Sequence, residues 1–294
     1  MNNLYSPSYV KDIFKKYKFY YKKKLGQNFL IDKNINEKII EAASINKDDV
    51  VIEIGPGLGN LTQLLCKEAK KVISIEIDKD FKKIHEDILN YDNLEIIYDD
   101  FMEINLNKIL EPYDKKEIKV VANLPYYITT PIIMKLLEEK YPINKIVVMI
   151  QKEVAERFAS TPGGKEYGAI TLTINYYSET HYAFTVSPEV FIPKPKVSSA
   201  VVVFDVLDKP KYSVYSEEIL FKVIKGAFAK RRKTFVNSLS STFPEFDKEI
   251  ILDSLKNFNL NIAIRGEKLS LEEFVKISNF LMERMHWFIK IILI

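Results

Sequence analysis

The chain contains 294 residues, of which 47% are hydrophobic, enough to build one large domain with a smaller one, or two domains. The formal net charge of +3 does not by itself indicate a nucleic-acid partner. The three histidines are scattered and the single cysteine lies in a helical apolar pattern, so we expect neither a metal site nor a disulfide framework. Without a signal segment or an apolar run near the ~20 residues of a membrane span, we expect a cytoplasmic protein with no membrane partner.

Residues 1–24 differ in composition from the rest of the chain and are expected to form an N-terminal arm. Seven lysines alternate there with seven aromatic residues, and Asp12 is the single acid. Basic and aromatic side chains together suit single-stranded RNA, because they neutralise phosphates and stack on bases. A merely solvated arm is the alternative.

A glycine loop follows the first buried strand of the next region. Glycines at positions 55, 57 and 59 permit positive φ and let a ligand approach the backbone at the start of a helix. Glu76 follows Gly55 by 21 residues (76 − 55), close to the ~20 at which an acid reaches ribose hydroxyls. Loop and acid together predict an adenosine-containing cofactor. A nicotinamide dinucleotide is disfavoured, because its fingerprint has glycine or alanine where Asn60 stands.

The third predicted strand, residues 94–98, ends in two adjacent aspartates. Asp99 or Asp100 can accept a hydrogen bond from an adenine amino group, or cap a following helix. The sequence leaves both choices open.

The central strand is predicted at residues 118–122 and must stop before Pro125, which has no N–H for a sheet ladder. Asn123, Leu124 and Tyr126 therefore lie at a carboxyl end, where open α/β sheets bind ligands. An asparagine oxygen and a carbonyl held before proline can accept both N–H bonds of an exocyclic amine and make its nitrogen more nucleophilic. A tyrosine ring can stack on the base.

Further strands are predicted at 143–151, 170–177 and 199–206. Between the last two, Pro193 and Pro195 stiffen a segment that presents Phe191. Phe191 is expected either to pack in the core or to form a second wall against a flipped base.

Beyond residues 209–211 the pattern is helical throughout, and residues 212–294 are expected to form a separate RNA-binding domain. Five basic residues and no acid lie between positions 225 and 233, and a solvated face is the alternative to a phosphate-binding one. The apolar tail at 287–294 is too short to span a membrane and is expected to pack on its own domain.

Seven motifs follow one another between residues 22 and 290: Leu25-Gly-Gln-Asn-Phe-Leu30, Glu53-Ile-Gly-Pro-Gly-Leu-Gly59, Glu76-Ile-Asp78, Asp100, Asn123-Leu-Pro-Tyr126, Phe191-Ile-Pro-Lys-Pro-Lys-Val197, and Phe228-Ala-Lys-Arg-Arg-Lys233 with Asn237-Ser-Leu239. In these motifs the chain resembles the bacterial small-subunit ribosomal RNA adenine dimethyltransferases, the KsgA family. It departs from the pattern at Tyr127 and Thr130, where that family often has asparagine and serine, and at Ser198, where it often has aspartate.

The resemblance implies an α/β fold in which residues 25–208 form a Rossmann-like, seven-stranded methyltransferase sheet, followed by a small all-α domain. It implies S-adenosyl-L-methionine as cofactor, held by Asn28, Leu30, Gly55, Gly57, Glu76, Asp100 and Asn123. The target adenine would be held by Asn123, Leu124, Pro125, Tyr126 and Phe191.

The resemblance also implies a substrate: two adjacent adenosines in the 3′-terminal hairpin loop of small-subunit (16S) rRNA, in an immature 30S subunit. We expect the protein to act as a monomer without a metal. The alternatives are a large-subunit rRNA adenine methyltransferase of the macrolide-resistance type, which shares the Asn-X-Pro-Tyr motif, and a non-catalytic RNA-binding assembly or transcription factor. The basic block at 228–233 favours the small-subunit family, and the intact glycine loop favours catalysis.

Overall fold

The computed structural model describes residues 4–114 and 117–292, with the side chains of Lys23 and of residues 285–292 left out. Two compact units are formed: the first runs to Ala155 and includes Glu179–Asp208, and the second comprises Glu156–Ser178 and the chain from Lys209 on. The segment Glu156–Ser178 thus groups with the C-terminal helices, although sequence patterns place it within 25–208. Two hydrogen bonds explain the grouping, from the Tyr167 hydroxyl to the Leu269 carbonyl (2.9 Å) and from the Gly163 N–H to the Glu267 carbonyl (2.7 Å).

The strands, in chain order, are β1 (Phe29–Leu30), β2 (Val50–Ile54), β3 (Lys71–Ile75), β4 (Leu94–Ile97), β5 (Ile118–Asn123), β6 (Lys145–Gln151), β7 (Ser178–Val186), β8 (Phe191–Ile192) and β9 (Ser199–Val206). The helices are α1 (Pro7–Lys16), α2 (Lys33–Ala43), α3 (Thr62–Glu68), α4 (Lys82–Ile88), α5 (Leu106–Leu110), α6 (Thr129–Glu138), α7 (Lys152–Phe158), α8 (Ala169–Tyr177), α9 (Glu217–Ala229), α10 (Phe235–Thr242), α11 (Lys248–Asn257) and α12 (Leu271–Ile292).

Within the described residues, seven strands form one sheet in the order β4-β3-β2-β5-β6-β9-β7. The pairs from β4 to β6 are parallel, and β9 runs antiparallel to β6. Every residue of β2 is buried, as expected for a central strand covered on both faces. Strand order reverses between β2 and β5, so the loops after Ile54 and Asn123 meet at the point where such sheets bind ligands. The expected seven-stranded, Rossmann-like sheet is confirmed.

A two-stranded sheet joins two distant motifs of the sequence. Strand β1 pairs antiparallel with β8, with Phe29 opposite Ile192 and Leu30 opposite Phe191. This pairing holds the end of the segment that begins at Leu25 against β8, within the first unit.

The strand predicted at 170–177 is wrong, because this segment forms helix α8. The run Ile-Thr-Leu-Thr-Ile-Asn-Tyr-Tyr is rich in β-branched and aromatic residues, which favour strands, and a short apolar run fits a buried helix equally well. Thr171, Leu172 and Ile174 are buried, and the Thr171 hydroxyl donates to the Arg157 carbonyl at 2.7 Å. Tertiary packing outweighs local propensity here.

The N-terminal arm is packed against the first unit. Val10, Ile13 and Phe14 of α1 are buried, whereas Tyr20 remains 79% exposed. Of the arm's seven aromatic residues, Phe14 and Phe19 are buried, Tyr5, Tyr9 and Tyr17 are partly buried, and Tyr20 and Tyr21 are exposed.

In the second unit a capping box precedes α12: the Ser270 N–H donates to the Glu273 carboxylate at 2.7 Å and the Glu273 N–H to the Ser270 hydroxyl at 3.3 Å. The side chains of the apolar tail lie outside the described residues. In the part of the chain that the structure describes, we find no helix with the length and hydropathy of a membrane span.

Candidate active site

The carboxyl ends of β2, β3 and β5 and the segment before β1 line one cleft with about 820 Å³ of empty space, part of it open to solvent. Nine of the residues predicted for the site line it: Asn28, Leu30, Gly55, Gly57, Glu76, Asn123, Leu124, Pro125 and Tyr126. Asp100 and Phe191 do not. The structure thus brings together residues from four separate motifs.

The glycine loop requires glycine at its centre for two reasons. Gly57 has a φ of +56°, a backbone conformation that residues with a side chain rarely adopt. A Cβ there would also lie 3.1 Å from the Phe29 ring. The loop backbone is therefore held against Phe29, one residue beyond Asn28.

Glu76 is 5% exposed at the end of β3 and faces the glycine loop. Its carboxylate accepts the Gly57 N–H at 3.1 Å and the Asp78 N–H at 2.8 Å, one on each oxygen. Burial raises the pKa of Glu76 to about 7, and the charge of Asp78 raises it further, while these N–H bonds oppose the rise. Each oxygen retains capacity for a further hydrogen bond.

His85, on α4, supports the loop from behind, a role that sequence analysis did not predict. Its Nε2 lies 2.6 Å from the Gly57 carbonyl and its Nδ1 lies 2.9 Å from the Tyr98 hydroxyl. Burial lowers the pKa of His85 to about 4, so the ring is neutral at physiological pH. Because a carbonyl can only accept, Nε2–H donates to Gly57 and Nδ1 accepts from Tyr98.

Glu53 is a second buried carboxyl group in the cleft lining that sequence analysis did not assign to the site. One of its oxygens accepts the hydroxyls of Thr62 and Ser74, each at 2.7 Å. Burial raises the pKa of Glu53 to about 7, with the charge of Glu76 adding to the rise. In the sequence, the only sign that Glu53 belongs to the site is that an acidic residue stands within an apolar strand, directly before Ile-Gly-Pro-Gly.

Asn123 ends β5 with its amide oriented by the segment before β1. Its Nδ2 donates to the Asn28 carbonyl at 3.1 Å. Among the described residues, no hydrogen bond is made to Asn123 Oδ1, which remains an acceptor at the cleft. The Asn28 side chain in turn donates to the Gly26 carbonyl at 3.1 Å.

Pro125 and Tyr126 form a rigid turn after Asn123. The Pro125 carbonyl accepts the Thr129 hydroxyl at 3.1 Å, which ties the turn to the start of α6. The Tyr126 hydroxyl shares a hydrogen bond of 2.7 Å with that of the fully buried Ser199. Both ends of the turn are thereby held.

The two aspartates after β4 form a turn of their own. Asp100 accepts the Met102 N–H at 2.9 Å, and Asp99 accepts the Asp100 N–H at the same distance. Neither aspartate caps the following helix, because the N-cap of α5 is Asn105. Asp100 lies outside the cleft lining, and its role towards a cofactor stays a prediction.

Phe191 is 3% exposed and belongs to the hydrophobic core cluster that also contains Leu30, its partner across the β1–β8 pair. Its ring therefore packs in the core, one of the two roles considered for it. A role against a flipped base stays a prediction.

The donor and acceptor set of the cleft fits the adenosyl portion of S-adenosyl-L-methionine. Glu76 offers a buried carboxylate for the ribose diol, and the glycine loop offers close backbone approach at the start of a helix. Among the residues that the structure describes, no cluster of three His, Cys, Asp or Glu side chains is placed to hold a metal ion.

The second unit carries the basic block of Lys225, Lys230, Arg231, Arg232 and Lys233, all exposed. Arg231 pairs with Glu267 at 3.4 Å and also donates to the Lys165 carbonyl. In the described part of the chain, the side chains of Arg232 and Lys233 make no ion pair or hydrogen bond.

Comparison with known proteins agrees with this geometry. The family model for ribosomal RNA adenine dimethylase matches residues 18–283. The Ribosomal RNA small subunit methyltransferase A of Alkaliphilus metalliredigens is 46% identical over 280 residues, covering 95% of this chain and 98% of its own. That of Clostridioides difficile is 44% identical over 283 residues, covering 96% and 98%.

Solved structures also match. A dimethyladenosine transferase from Plasmodium falciparum has a TM-score of 0.73 and 28% identity, covering 85% of this chain and 95% of its own. The 23S rRNA methyltransferase ErmE has a TM-score of 0.68 and 24% identity, covering 86% and 99%, a likeness that concerns the fold. From the family match and the identity of its relatives, the chain belongs to the ribosomal RNA adenine dimethylase family.

Proposed function

We propose that this protein dimethylates N6 of two adjacent adenosines in the 3′-terminal hairpin loop of small-subunit (16S) rRNA. As a member of its family it is an rRNA adenine dimethyltransferase that uses S-adenosyl-L-methionine. Its relatives carry the name of small-subunit methyltransferases, which favours that substrate over the large-subunit and non-catalytic alternatives. The single observation that carries the proposal is the cleft shared by Glu76 and Asn123.

The cofactor would lie between the glycine loop and the segment before β1. Glu76 would accept the ribose hydroxyls, while Gly55 and Gly57 leave room for close backbone approach, and Asn28 and Leu30 close the opposite side. When bound, S-adenosyl-L-methionine supplies an electrophilic methyl group on its sulfonium.

Asn123 and Leu124 would activate the adenine amine. The Asn123 side-chain oxygen and the Leu124 carbonyl, which precedes Pro125, would each accept one N6 hydrogen. Both bonds strengthen as the nitrogen becomes nucleophilic, so they favour the transition state over the ground state. Asn123 and Leu124 would hold the nitrogen while it accepts the methyl group from the sulfonium, which would leave as a neutral thioether, and one N6 proton would then pass to water. A second cycle replaces the remaining hydrogen.

Tyr126 would stack on the target adenine. Its hydroxyl is held by Ser199, which limits rotation of the ring and reduces the entropy lost on stacking. The roles of Asp100 and Phe191 towards cofactor and base remain predictions.

The protein is proposed to act as a monomer in the cytoplasm, on an immature 30S subunit and without a metal ion. Arg232 and Lys233 are proposed to contact RNA phosphates, since neither is engaged by another described side chain.

The experiment uses purified protein, S-adenosyl-L-methionine, and small- or large-subunit particles from cells that lack this modification. Mass spectrometry of nucleosides is expected to detect N6,N6-dimethyladenosine in the small-subunit RNA alone. Modification of the large-subunit RNA alone would support the macrolide-resistance type, and no modification of either would support a non-catalytic factor.

A further inference from the structure

The N-terminal segment, residues 4–22, packs against the glycine loop and the elements next to it. Its buried side chains Leu4, Val10, Ile13, Phe14 and Phe19 form one cluster with Phe29, Leu58, Phe81 and Ile84. Phe29 belongs to β1, and Leu58 belongs to the glycine loop itself. The segment therefore packs against the elements that would hold the cofactor.

Two hydrogen bonds connect the segment to the end of the glycine loop. The Tyr5 hydroxyl donates to the Asn60 carbonyl at 3.2 Å, and the Asn60 side chain donates to the Leu4 carbonyl at 2.8 Å. The backbone and the side chain of Asn60 therefore both bind this end of the loop to the N-terminal segment.

A network of charged and amide groups lies at the other end of the segment. Lys22 Nζ lies 2.5 Å from both Asp78 Oδ1 and Asp80 Oδ2. The second Asp78 oxygen accepts the Gln27 side-chain N–H at 2.7 Å, and the Gln27 oxygen accepts the Lys22 backbone N–H at 2.8 Å. The Asp78 side chain has no exposed surface, whereas that of Lys22 is 33% exposed. A buried carboxylate is thus neutralised by a cation from the N-terminal segment.

Asp78 directly contacts Glu76, because its N–H donates to a Glu76 oxygen at 2.8 Å. The titratable groups that interact with Glu76 are Asp78 on its own segment, Glu53 on β2 and Tyr98 after β4. The neutral His85 on α4 bonds to the Gly57 carbonyl, and Lys22 pairs with Asp78 and Asp80. Without Lys22, the buried Asp78 would leave an uncompensated negative charge beside the acid. Like charges disfavour ionisation, and an ionised Glu76 is the stronger acceptor for ribose hydroxyls.

We propose that Lys22 is a positioning residue of the cofactor site: by neutralising Asp78, it favours the ionised form of Glu76 and holds the Asp78 N–H that orients this carboxylate for the ribose of S-adenosyl-L-methionine. The inference rests on the proposed function, and it makes the N-terminal segment part of the cofactor site. Lys22 acts through Asp78 and does not itself contact the cofactor.

The test measures binding of S-adenosyl-L-methionine and S-adenosyl-L-homocysteine by calorimetry between pH 6 and 9. In Lys22→Met, the pH at which affinity is half-maximal is expected to rise by about one unit, which lowers affinity at pH 7 about fivefold. Lys22→Arg keeps the charge and is expected to retain the wild-type profile. The matched control is Lys70→Met, which removes the exposed ion pair with Glu117 in the same unit and is expected to leave cofactor affinity unchanged.

A second variant separates charge compensation from lost packing. Lys22→Met combined with Asp78→Asn removes both charges, and its pH profile is expected to return towards that of the wild type. An unchanged profile in Lys22→Met, or a shift that Asp78→Asn fails to reverse, would overturn the inference. If the wild-type protein bound neither compound, the proposed function itself would fail, so the two failures are distinguishable.

Discussion

The Asn123 side-chain amide donates a hydrogen bond of 3.1 Å to the main-chain carbonyl of Asn28, 95 residues earlier in the chain. This bond ties the end of the central strand β5 to the segment before β1. The bond also fixes the orientation of the Asn123 amide, and Oδ1 remains available to accept a hydrogen bond. One side chain thus links the cofactor side of the cleft to the side proposed to hold the base.

Replacing Asn123 by alanine is expected to lower kcat by about 10²- to 10³-fold, because the bond to N6 strengthens in the transition state. RNA affinity is expected to change far less, since phosphates supply most of it. Single-turnover kinetics and RNA titrations measure the two effects. Asn107→Ala, the same substitution at an exposed position in the first unit, serves as control. A normal single-turnover rate in Asn123→Ala would disprove the proposed role.

Glu76→Gln is expected to weaken S-adenosyl-L-methionine binding by roughly 1.5 to 3 kcal/mol, because a charge-assisted acceptor becomes a neutral one. The pKa of Glu76 is raised to about 7, so the unliganded acid is largely protonated below that pH. Binding that needs the ionised acid must therefore weaken as pH falls through 7, by about tenfold between pH 8 and pH 6.

Calorimetry in buffers of different ionisation enthalpy checks this dependence, since wild-type protein is expected to release a proton on binding at pH 7. In Glu76→Gln the release and most of the pH dependence are expected to disappear. The exposed control Glu68→Gln should retain both. Full pH dependence in Glu76→Gln would instead assign the titration to Glu53, whose pKa is also raised to about 7.

Phe191→Ala is expected to destabilise the protein by about 3 to 5 kcal/mol, since the ring is 3% exposed in a core cluster. Denaturant unfolding measures the loss. Phe191→Leu keeps most of the buried volume and is expected to lose about 1.5 kcal/mol or less. An unchanged unfolding free energy together with lost methylation would assign the ring to the base instead.

Changing both Arg232 and Lys233 to glutamine is expected to weaken binding to small-subunit RNA and to reduce the salt slope by about two phosphate contacts. Arg231 is left intact because it is bonded to Glu267 within the second unit. Anisotropy titrations at several salt concentrations test this. As a control, Lys248→Gln with Lys256→Gln removes the same charge from helix α11 of the same unit. Equal slopes for both pairs would show that the block is only a solvated face.

Much of the cleft was predictable because its elements depend on local sequence. The apolar run and the proline that follows it are enough to predict a strand, and β5 ends at Asn123, before Pro125, as expected. The glycine loop and Glu76 are likewise set by the spacing of a βαβ unit, and both line the cleft.

Other features depend on contacts between distant segments. The bond from His85 to the Gly57 carbonyl joins residues 28 positions apart, and an isolated histidine in a helix carries no signal for it. The arm's aromatic residues suited RNA in composition, yet Phe14 and Phe19 are buried with Phe81. Composition does not distinguish a stacking surface from a core, because both use the same side chains.

Mapping N6,N6-dimethyladenosine along ribosomal RNA from cells with and without this protein tests the proposed function. Under that function we expect two adjacent dimethylated adenosines in the 3′-terminal hairpin loop of small-subunit rRNA, present with the wild-type protein and absent both without it and with Asn123→Ala. Unchanged dimethylation of that loop in cells lacking the protein, or loss of a modification only in large-subunit rRNA, would contradict it.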